Sequence, residues 1–374
     1  MAWQKDLLRW FAKNQRPLPW RRHTRPYEVW VSEIMLQQTQ VETMLPYFRR
    51  WMRLFPTIAA LAKSPEKKVL KAWEGLGYYS RARNLHETAK RIVREHGGAF
   101  PRDFETILSL KGIGRYSAGA IASIAFNEPR PIVDGNVFRV LSRLYAIKKP
   151  IDIPRNREIF WKLEADLIPP NRARLFNQAL MELGALVCAA KNPACALCPL
   201  QKHCLAFKND DPEAYPVREK KKKMVKIIAA AVVISRRGDP TGRPHYLVQQ
   251  RPLGEIMGGL WEFPEWKLAK DTALDPEKIK HLTLRRVLSD FGMESNGLKE
   301  MGRIKRNYTH HLETLHVFGV PAHGRGNPAP TGGWPFAWVT PEKFADYPFS
   351  SAHAKIANMI PLTPPVATAT TSPC

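Results

Sequence analysis

The chain has 374 residues, and 58 Lys and Arg against 34 Asp and Glu give a formal net charge of +24 at pH 7. A protein this basic is suited to a polyanionic partner, because each neutralised phosphate releases counterions, although charge alone also fits a merely soluble surface. Hydrophobic residues make up 44% of the chain and aromatic residues 10%, which excludes a disordered chain. No stretch approaches the ~20 apolar residues of a membrane span. The length predicts two or three domains.

The N-terminus and the cysteines predict the compartment. The sequence MAWQKDLLRWF lacks the apolar core and cleavage site of an export signal. The chain has five cysteines, four of them within seventeen residues, and an odd number does not suit a disulfide framework. We therefore expect a protein of the reducing cytoplasm.

Residues 1–208 have helical periodicity almost throughout. Trp3, Leu7, Trp10 and Phe11 share one helical face, and Gly and Pro residues divide the region into many short helices. Residues 209–224 are polar, with two prolines and four consecutive lysines, which predicts a linker. The first domain is therefore expected to be all-helical.

After the linker, the spacing of the apolar residues changes from a helical period to that of strands. Residues 225–360 are predicted to form an α+β domain, and 361–374 a disordered tail with the isolated thiol of Cys374. The predicted strands are 227–235, 245–251, 312–320 and 336–340, and the predicted helices are 276–292 and 350–360.

Four cysteines form the most specific local signal, in the pattern C-x6-C-x2-C-x5-C within the loop 188–204: Cys188, Cys195, Cys198 and Cys204. Four thiolates so close together are expected to bind a metal group. Zinc is one candidate, but its four-cysteine sites usually use two C-x2-C turns, and only one is present. The spacing favours a 4Fe–4S cluster over zinc.

Two glycines one residue apart, Gly112 and Gly114, predict a tight turn between two helices. A G-x-G motif by itself is often no more than a turn without a binding role. Here the neighbouring Lys111 and Arg115 and the start of a helix favour contact with nucleic-acid phosphates.

Two acidic residues stand in apolar surroundings. Glu33 lies in WVSEIMLQQT, and Asp134 follows the apolar run PIV. Burial disfavours the charged carboxylate and raises its pKa, so such a group can act as an acid near neutral pH. Each could instead be a buried acid with a structural partner, and Asp134 could simply cap a helix. As a pair they suggest a general acid and a stabiliser of a sugar cation.

Together these motifs resemble one family. Residues 1–208 resemble the helix-hairpin-helix, endonuclease III superfamily of DNA glycosylases, and within it the MutY-type adenine DNA glycosylases. The resemblance continues to about residue 360, where RPLGEIMGGLWEFP (251–264) is similar to the start of that family's Nudix-like domain. The segments that carry it are LPWRR (18–22), SEIMLQQTQV (32–41), GLGYYSRARNL (75–85), GIGRYSAGAI (112–121), VDGNVFRVLSR (133–143) and the four cysteines.

The resemblance implies a multidomain fold. A helical glycosylase domain would comprise a six-helix barrel at roughly 25–130 and a lobe that joins the N-terminal helix to residues 135–205 and holds one 4Fe–4S cluster. An α+β Nudix-like domain would follow.

It also implies roles for individual residues. Glu33 would protonate adenine, chiefly at N7, and Asp134 would stabilise the oxocarbenium-like sugar and help to deliver water. Tyr116 and Asn136 complete the implied catalytic set. The implied substrate and DNA contacts are Trp20, Arg21, Gln38, Thr39, Leu76, Tyr78, Lys111, Gly112, Gly114, Arg115, Ser117 and Gln178. Among them, Gln38 and Tyr78 would wedge into the base stack, and a flipped adenine would enter the pocket.

Tyr116 decides between two chemistries. Bifunctional relatives carry a lysine at this position of the hairpin and use its amine to form a Schiff base. A phenol cannot form that imine, so we expect base removal without efficient strand cleavage.

The Nudix-like domain is expected to bind rather than hydrolyse. Active Nudix hydrolases hold magnesium with the glutamates of R-E-x-x-E-E, but TLRRVLSDFGM (283–293) has Arg285, Arg286 and a single Asp290. The resemblance implies recognition of 8-oxoguanine by Tyr308, Thr309 and His310. His310 and His311 could otherwise be plain sheet-surface residues.

The expected function is removal of adenine mispaired with 8-oxoguanine or G in double-stranded DNA, by a monomer without membrane contact. We expect a bacterial cytoplasmic protein that associates with the nucleoid through DNA and contacts repair proteins through its linker. The alternatives are an endonuclease III-type bifunctional glycosylase for oxidised pyrimidines, a non-catalytic iron–sulfur DNA sensor, and a nucleotide pyrophosphohydrolase.

Overall fold

The structure, a computed structural model, describes residues 2–219, 224–236, 243–255, 257–293, 297–308, 311–321, 330 and 333–361. The chain divides into two compact units. The helical unit comprises Met1–Pro65 and Arg81–Lys221, and the sheet unit comprises Glu66–Ser80 and Lys222–Cys374. The predicted order, a helical region followed by an α+β region, is confirmed.

The α-helices in chain order are α1 (Ala2–Asn14), α2 (Pro19–His23), α3 (Pro26–Leu36), α4 (Val41–Leu54), α5 (Ile58–Lys63), α6 (Glu66–Trp73), α7 (Ser80–His96), α8 (Phe104–Leu108), α9 (Arg115–Ala120), α10 (Gly135–Leu144), α11 (Pro154–Leu167), α12 (Ala173–Leu186), α13 (Leu205–Lys208), α14 (Pro276–Phe291) and α15 (Ser351–Ala357). A π-helical turn, Ile121–Ala125, continues α9. Among the described residues, no helix is long and apolar enough to cross a membrane.

The N-terminal helix of the helical unit packs against helices that come more than a hundred residues later. Leu7 and Phe11 of α1 share one buried cluster with Leu141 of α10 and with Phe176 and Leu180 of α12. The i, i+4 spacing of the α1 residues places them on one face, so burial of that face drives the packing. This arrangement agrees with the implied lobe that joins the N-terminal helix to residues 135–205.

The strands are β1 (Val225–Arg236), β2 (His245–Gln250), β3 (Trp261–Glu262), β4 (Glu265–Lys270), β5 (Lys299–Tyr308), β6 (His311–Pro321) and β7 (Phe336–Val339). In the described part of the chain they form one sheet in the order β3-β2-β1-β6-β5, in which β4 also pairs with β1 and β7 with β2. The β1–β6 pair is parallel, and the other pairs are antiparallel.

Strand β1 is buried on both faces. Ala231 and Val233 point into the cluster covered by α15, whereas Val232 and Ile234 point into the cluster covered by α14. Successive side chains of a strand point to opposite faces, so a continuous apolar run suits a strand between two layers. The sheet unit is therefore a sheet with a helix on each face.

Three strands, the assignment of residues 66–80 and the start of the linker differ from the sequence predictions. The sequence analysis did not predict β3, β4 or β5, because β3 has only two residues and β4 and β5 are rich in charged residues. Residues 66–80 belong to the sheet unit, where the Tyr79 hydroxyl donates to the Phe349 carbonyl oxygen at 2.7 Å and the Phe349 N–H donates to Glu74 Oε1 at 3.1 Å.

The predicted linker also differs. Its first part packs into the helical unit, since Tyr215 is buried and its carbonyl oxygen accepts from Arg143 Nε at 3.1 Å. Burial of the apolar ring of Tyr215 favours packing of this otherwise polar segment. The four lysines 220–223 and the predicted tail from residue 362 lie outside the described residues.

Candidate active site

A cavity of about 690 Å³ lies in the helical unit. We call it the active-site cavity. The predicted site residues that line it are Trp20, Arg21, Glu33, Gln38, Thr39, Tyr116, Asp134, Asn136 and Gln178. They come from α2, α3, the turn after α3, α9, α10 with its N-cap residue, and α12. Its volume falls in the range of pockets that enclose a small organic molecule.

Glu33 is buried on α3 and faces this cavity, with 3% of its surface exposed. The Tyr116 hydroxyl donates to its Oε2 at 2.7 Å. Burial raises the pKa of Glu33 to about 7, and the negative charge of Asp134 adds to the rise, against the opposing hydrogen bond of Tyr116 and the charge of Arg21. The carboxyl group therefore keeps a proton up to near neutral pH, as a general acid requires.

Asp134 both caps a helix and lines the cavity. Its Oδ1 accepts from the Val137 N–H at 2.7 Å at the start of α10, and its Oδ2 accepts from Asn136 Nδ2 at 2.9 Å. Burial raises the pKa of Asp134, while these two hydrogen bonds oppose the rise. The structural and the functional interpretation are thus compatible, because the cap fixes the carboxylate at the cavity wall.

Asn136 is held by a close approach of two helices. Arg139 Nη2 donates to Asn136 Oδ1 at 2.8 Å. A Cβ atom at Gly184 of α12 would lie 2.5 Å from the Cβ of Asn136, so only glycine fits there.

The sequence analysis missed Glu182. This carboxylate is 1% exposed and accepts from the guanidinium groups of Arg16 and Arg21, with four N–O distances of 2.9 to 3.0 Å. Burial alone would raise its pKa, but the hydrogen bonds from Arg21 and Arg16 lower the pKa to about 2. Arg21 therefore lines the cavity as predicted, but its guanidinium group forms an ion pair with Glu182. An acidic residue in the apolar run NQALMELGAL was the available signal, of the same kind that singled out Glu33.

Gln178 lies one turn before Glu182 on α12 and is buried at the cavity wall. Its Nε2 donates to the Arg174 carbonyl oxygen at 3.0 Å. Nearby, Gln37 Nε2 donates to the buried Ser117 hydroxyl oxygen at 3.4 Å. Ser117 thus has a buried structural contact and does not line the cavity.

The glycine turn lies outside the cavity lining. Gly112 has φ +78°, and a Cβ there would lie 2.6 Å from the Cβ of Asn84, whereas Gly114 has open space. Lys111 pairs with Glu87 at 2.6 Å, and Arg115 pairs with Glu158 at 2.7 Å. Such exposed pairs are weak, so both cations can exchange their partners for phosphate.

Leu76 and Tyr78 belong to the sheet unit. Tyr78 is 49% exposed with φ 47°, whereas Leu76 is only 7% exposed, which leaves little of its side chain for a ligand. The predicted recognition loop is described only at its first residue, since Thr309 and His310 and the side chain of Tyr308 lie outside the described residues.

The four predicted metal ligands line one small cavity together with Arg143. None of the four thiols is in a disulfide, and Arg143 Nη1 lies 3.3 Å from Cys188 Sγ. Burial raises the pKa of Cys198 to about 12, and the other thiols contribute to the rise. In the described part of the chain, no group of three or more His, Cys, Asp or Glu side chains has metal-binding geometry. The donor set nevertheless fits a metal group, because a cationic centre would remove the cost of ionising four neighbouring thiols.

The class of the protein follows from comparison with known families. Residues 31–163 match the HhH-GPD superfamily base excision DNA repair proteins, and residues 230–359 match the NUDIX domain. The structure of a thermostable thymine-DNA glycosylase is similar with a TM-score of 0.52 and 28% identity, over 56% of this chain and 96% of that one. The helical unit is thus that of a base excision repair glycosylase, followed by a Nudix-like domain.

Curated relatives narrow the class. The adenine DNA glycosylase of Rattus norvegicus is 35% identical, over 95% of this chain and 77% of the relative. That of Homo sapiens is 33% identical, over 95% and 73%. That of Buchnera aphidicola subsp. Acyrthosiphon pisum is 36% identical, over 76% and 81%. The chain belongs to the adenine DNA glycosylase family, which confirms the resemblance and the expected enzyme class.

Proposed function

We propose that the protein removes adenine paired with 8-oxoguanine or G from double-stranded DNA, by hydrolysis of the N-glycosidic bond of an extruded nucleotide. The observation that carries this proposal is the pairing of Glu33, with its pKa near 7, and Asp134 at the wall of one cavity. One buried acid can supply a proton while the other stabilises positive charge, and glycosidic hydrolysis uses two carboxyl groups in these two roles.

We assign the two steps to Glu33 and Asp134, with support from their hydrogen bonds. Tyr116 donates to Glu33 Oε2, so Oε1 carries the proton that passes to N7 of adenine. The C1′–N9 bond then breaks, its electron pair leaves with the neutral base, and the sugar becomes cationic. Asp134, held by Val137 and Asn136, stabilises that cation. Water adds to C1′ and gives up a proton to a carboxylate, which completes hydrolysis.

We assign the protein monofunctional chemistry. Burial raises the pKa of Tyr116 well above its usual value, so the phenol remains a neutral hydrogen-bond donor. It has no amine with which to attack C1′, and strand cleavage through a Schiff base has no nucleophile at this position.

The Arg16–Glu182–Arg21 group is proposed to hold the cavity open. Its two arginines and one buried acid keep α2 and α12 together beside Trp20, which is itself 3% exposed. Gln178, one turn away, would contact the base or the attacking water.

We propose that Cys188, Cys195, Cys198 and Cys204 hold one 4Fe–4S cluster, with zinc as the alternative. When bound, the cluster would cross-link the loop through four metal–sulfur bonds. The chain's own contribution is Arg143, which donates to the Ala189 carbonyl oxygen at 2.7 Å and joins the loop to α10.

The sheet unit is proposed to recognise 8-oxoguanine rather than to hydrolyse nucleotides. Its buried carboxylates Glu262 and Glu265 pair with Arg251, and Glu265 also pairs with Arg306. Carboxylates neutralised by arginine are poor ligands for magnesium, which argues against pyrophosphohydrolase activity. The remaining expectations, a cytoplasmic monomer and contacts of repair proteins with the linker, stay part of this proposal.

One assay tests the function. Duplexes with A:8-oxoG, A:G or thymine glycol are incubated with the protein and then treated with or without alkali. We expect strand breaks from the two adenine duplexes only after alkali, and no borohydride-trapped adduct. Cleavage of the thymine-glycol duplex without alkali would instead support a bifunctional enzyme for oxidised pyrimidines.

A further inference from the structure

A second cavity, of about 320 Å³, lies in the sheet unit between β4 and α14. We call it the basic groove. It is lined by Lys267, Leu268, Leu282, Arg285, Arg286 and Ser289. Within the described residues, the three cations of the groove have no ion-pair partner. Positive groups gathered around one cavity repel each other, and an anion in the cavity would relieve that repulsion.

The fold holds these cations in place. Ile279 and Val287 of α14 are buried in the core, so the helix is anchored by its apolar face and turns Arg285 and Arg286 towards solvent. Lys267 stands opposite Ala229 in the ladder between β4 and β1. Both walls of the groove are therefore regular elements, which fix the backbone positions from which the positive side chains extend.

The groove also lies where the hydrolase pattern has its acids. Against R-E-x-x-E-E, the helix reads Arg285, Arg286, Ser289 and Asp290, so the first two glutamates are replaced by a cation and a hydroxyl. Both carboxylate oxygens of Asp290 already accept hydrogen bonds: Oδ2 accepts from Trp266 Nε1 at 2.7 Å, and Oδ1 accepts from the Ser289 hydroxyl at 2.6 Å. This surface is therefore positive where the hydrolase pattern is negative. Its side chains themselves supply the positive charge that a bound metal ion supplies in a hydrolase.

We propose that the basic groove binds a phosphate group directly, without a divalent cation, and that the phosphate belongs to the backbone of duplex DNA. The described residues that line the groove include no aromatic side chain on which a base could stack. A phosphodiester is therefore a better match than a nucleotide. The sheet unit would hold DNA at this groove independently of any lesion.

The first arm of the test measures the anion site. Inorganic pyrophosphate is titrated calorimetrically into the full-length protein in EDTA. We expect one site, at least tenfold weaker in Arg285→Ala/Arg286→Ala and changed less than twofold in Lys278→Ala/Lys305→Ala. The control removes the same charge from exposed positions of the same unit that do not line the groove.

The second arm identifies the source of the phosphate. Binding of an undamaged duplex is measured against salt concentration, and each phosphate contact contributes about 0.9 to the slope of log K against log salt. We expect the slope to fall by about 1 to 2 in the groove variant and by less than half that in the control.

Equal pyrophosphate binding by the two double variants would overturn the groove as an anion site. Loss of pyrophosphate binding with an unchanged DNA slope would overturn the DNA assignment in favour of a free phosphate ligand. Lys267→Ala, which leaves α14 intact, repeats both measurements should the double variant unfold. Because the duplex contains no mispair, these outcomes do not depend on whether the protein excises adenine from A:8-oxoG.

Discussion

Buried acids in the active-site cavity and in the sheet unit have opposite electrostatic surroundings. In the active-site cavity, Glu33 has a tyrosine hydroxyl as its hydrogen-bond partner, and burial raises its pKa to about 7. In the sheet unit, Glu265 lies 3.0 Å from Arg251 and 2.9 Å from His353 Nε2. Burial alone would raise the pKa of Glu265, but its hydrogen bond to His353 and the charges around it hold the pKa far below its usual value.

The difference teaches how to tell a reactive acid from a structural one. Both sets are shielded from water, so burial does not distinguish them. The partner distinguishes Glu33 from Glu265: the cations around Glu265 favour its ionised form, whereas Glu33, whose hydrogen-bond partner is a tyrosine hydroxyl, keeps a proton that it can transfer. Within the helical unit, Glu182 with its two arginines follows the structural pattern.

The largest effect is expected from Glu33→Gln. The amide cannot donate an acidic proton, so the single-turnover rate of adenine excision should fall about 10²- to 10⁴-fold, the usual contribution of a general acid. Glu28→Gln, which alters an acid on the same helix that pairs with Arg25 away from the cavity, should stay within twofold. Full activity of Glu33→Gln would refute the assigned acid.

Breaking the paired set should cost stability. Arg306→Met removes the cation that Glu265 and Glu313 share. Removing one partner of a buried pair typically costs about 3–5 kcal/mol, and this is the upper limit here because Arg251 and His353 remain beside Glu265. Urea unfolding should show this loss in the transition of the sheet unit. Arg303→Met, on the same strand but in an exposed pair with Glu300, should change the unfolding free energy by less than about 1 kcal/mol.

A third kind of buried acid sharpens the comparison. Glu164 on α11 is fully buried, has no cation partner among the described residues, and is not among the residues that line the active-site cavity. Burial raises its pKa to about 8, against a weaker opposing effect of the Ile132 backbone N–H. The unfolded chain releases this proton near the ordinary pKa of 4.5, so the group lowers stability progressively as the pH rises from there towards 8.

Glu164→Gln should therefore stabilise the protein at pH 8 by about 1–3 kcal/mol and bring little benefit near pH 4. Chemical denaturation at the two pH values measures the difference. Equal stabilisation at both pH values would mean that the side chain acts through packing and not through its charge.

The smallest effect is expected from Tyr116→Phe. Loss of the hydrogen bond to Glu33, which lowers the pKa of that acid, should shift the descending limb of the pH–rate profile above its position near pH 7. The rate should fall about three- to tenfold at the optimum, which corresponds to one hydrogen bond. A profile that keeps its midpoint would show that the phenol does not set the protonation of Glu33.

Sequence patterns found the residues of the cavity more reliably than the edges of the sheet. Glu33, Tyr116 and Asp134 each stand in a local motif, and the structure brings all three to one cavity. Strand β5 was not predicted because it is rich in charged residues and Ile304 is its only buried residue among those described, so its apolar alternation is weak. The predicted DNA contacts, the cluster and the recognition loop stay predictions.

By itself the sequence determined the elements whose signals are local: the helical period of residues 1–208, the Asp134 cap, the Gly112 turn, the buried strand β1 and the four-cysteine pattern. Only the tertiary structure decided that Arg16 and Arg21 neutralise Glu182, that residues 66–80 pack with the sheet unit, and that Glu33 forms no ion pair with any described residue. The physical reason is that a cap or a turn depends on neighbouring residues, whereas burial and ion pairing are sums over groups far apart in the chain.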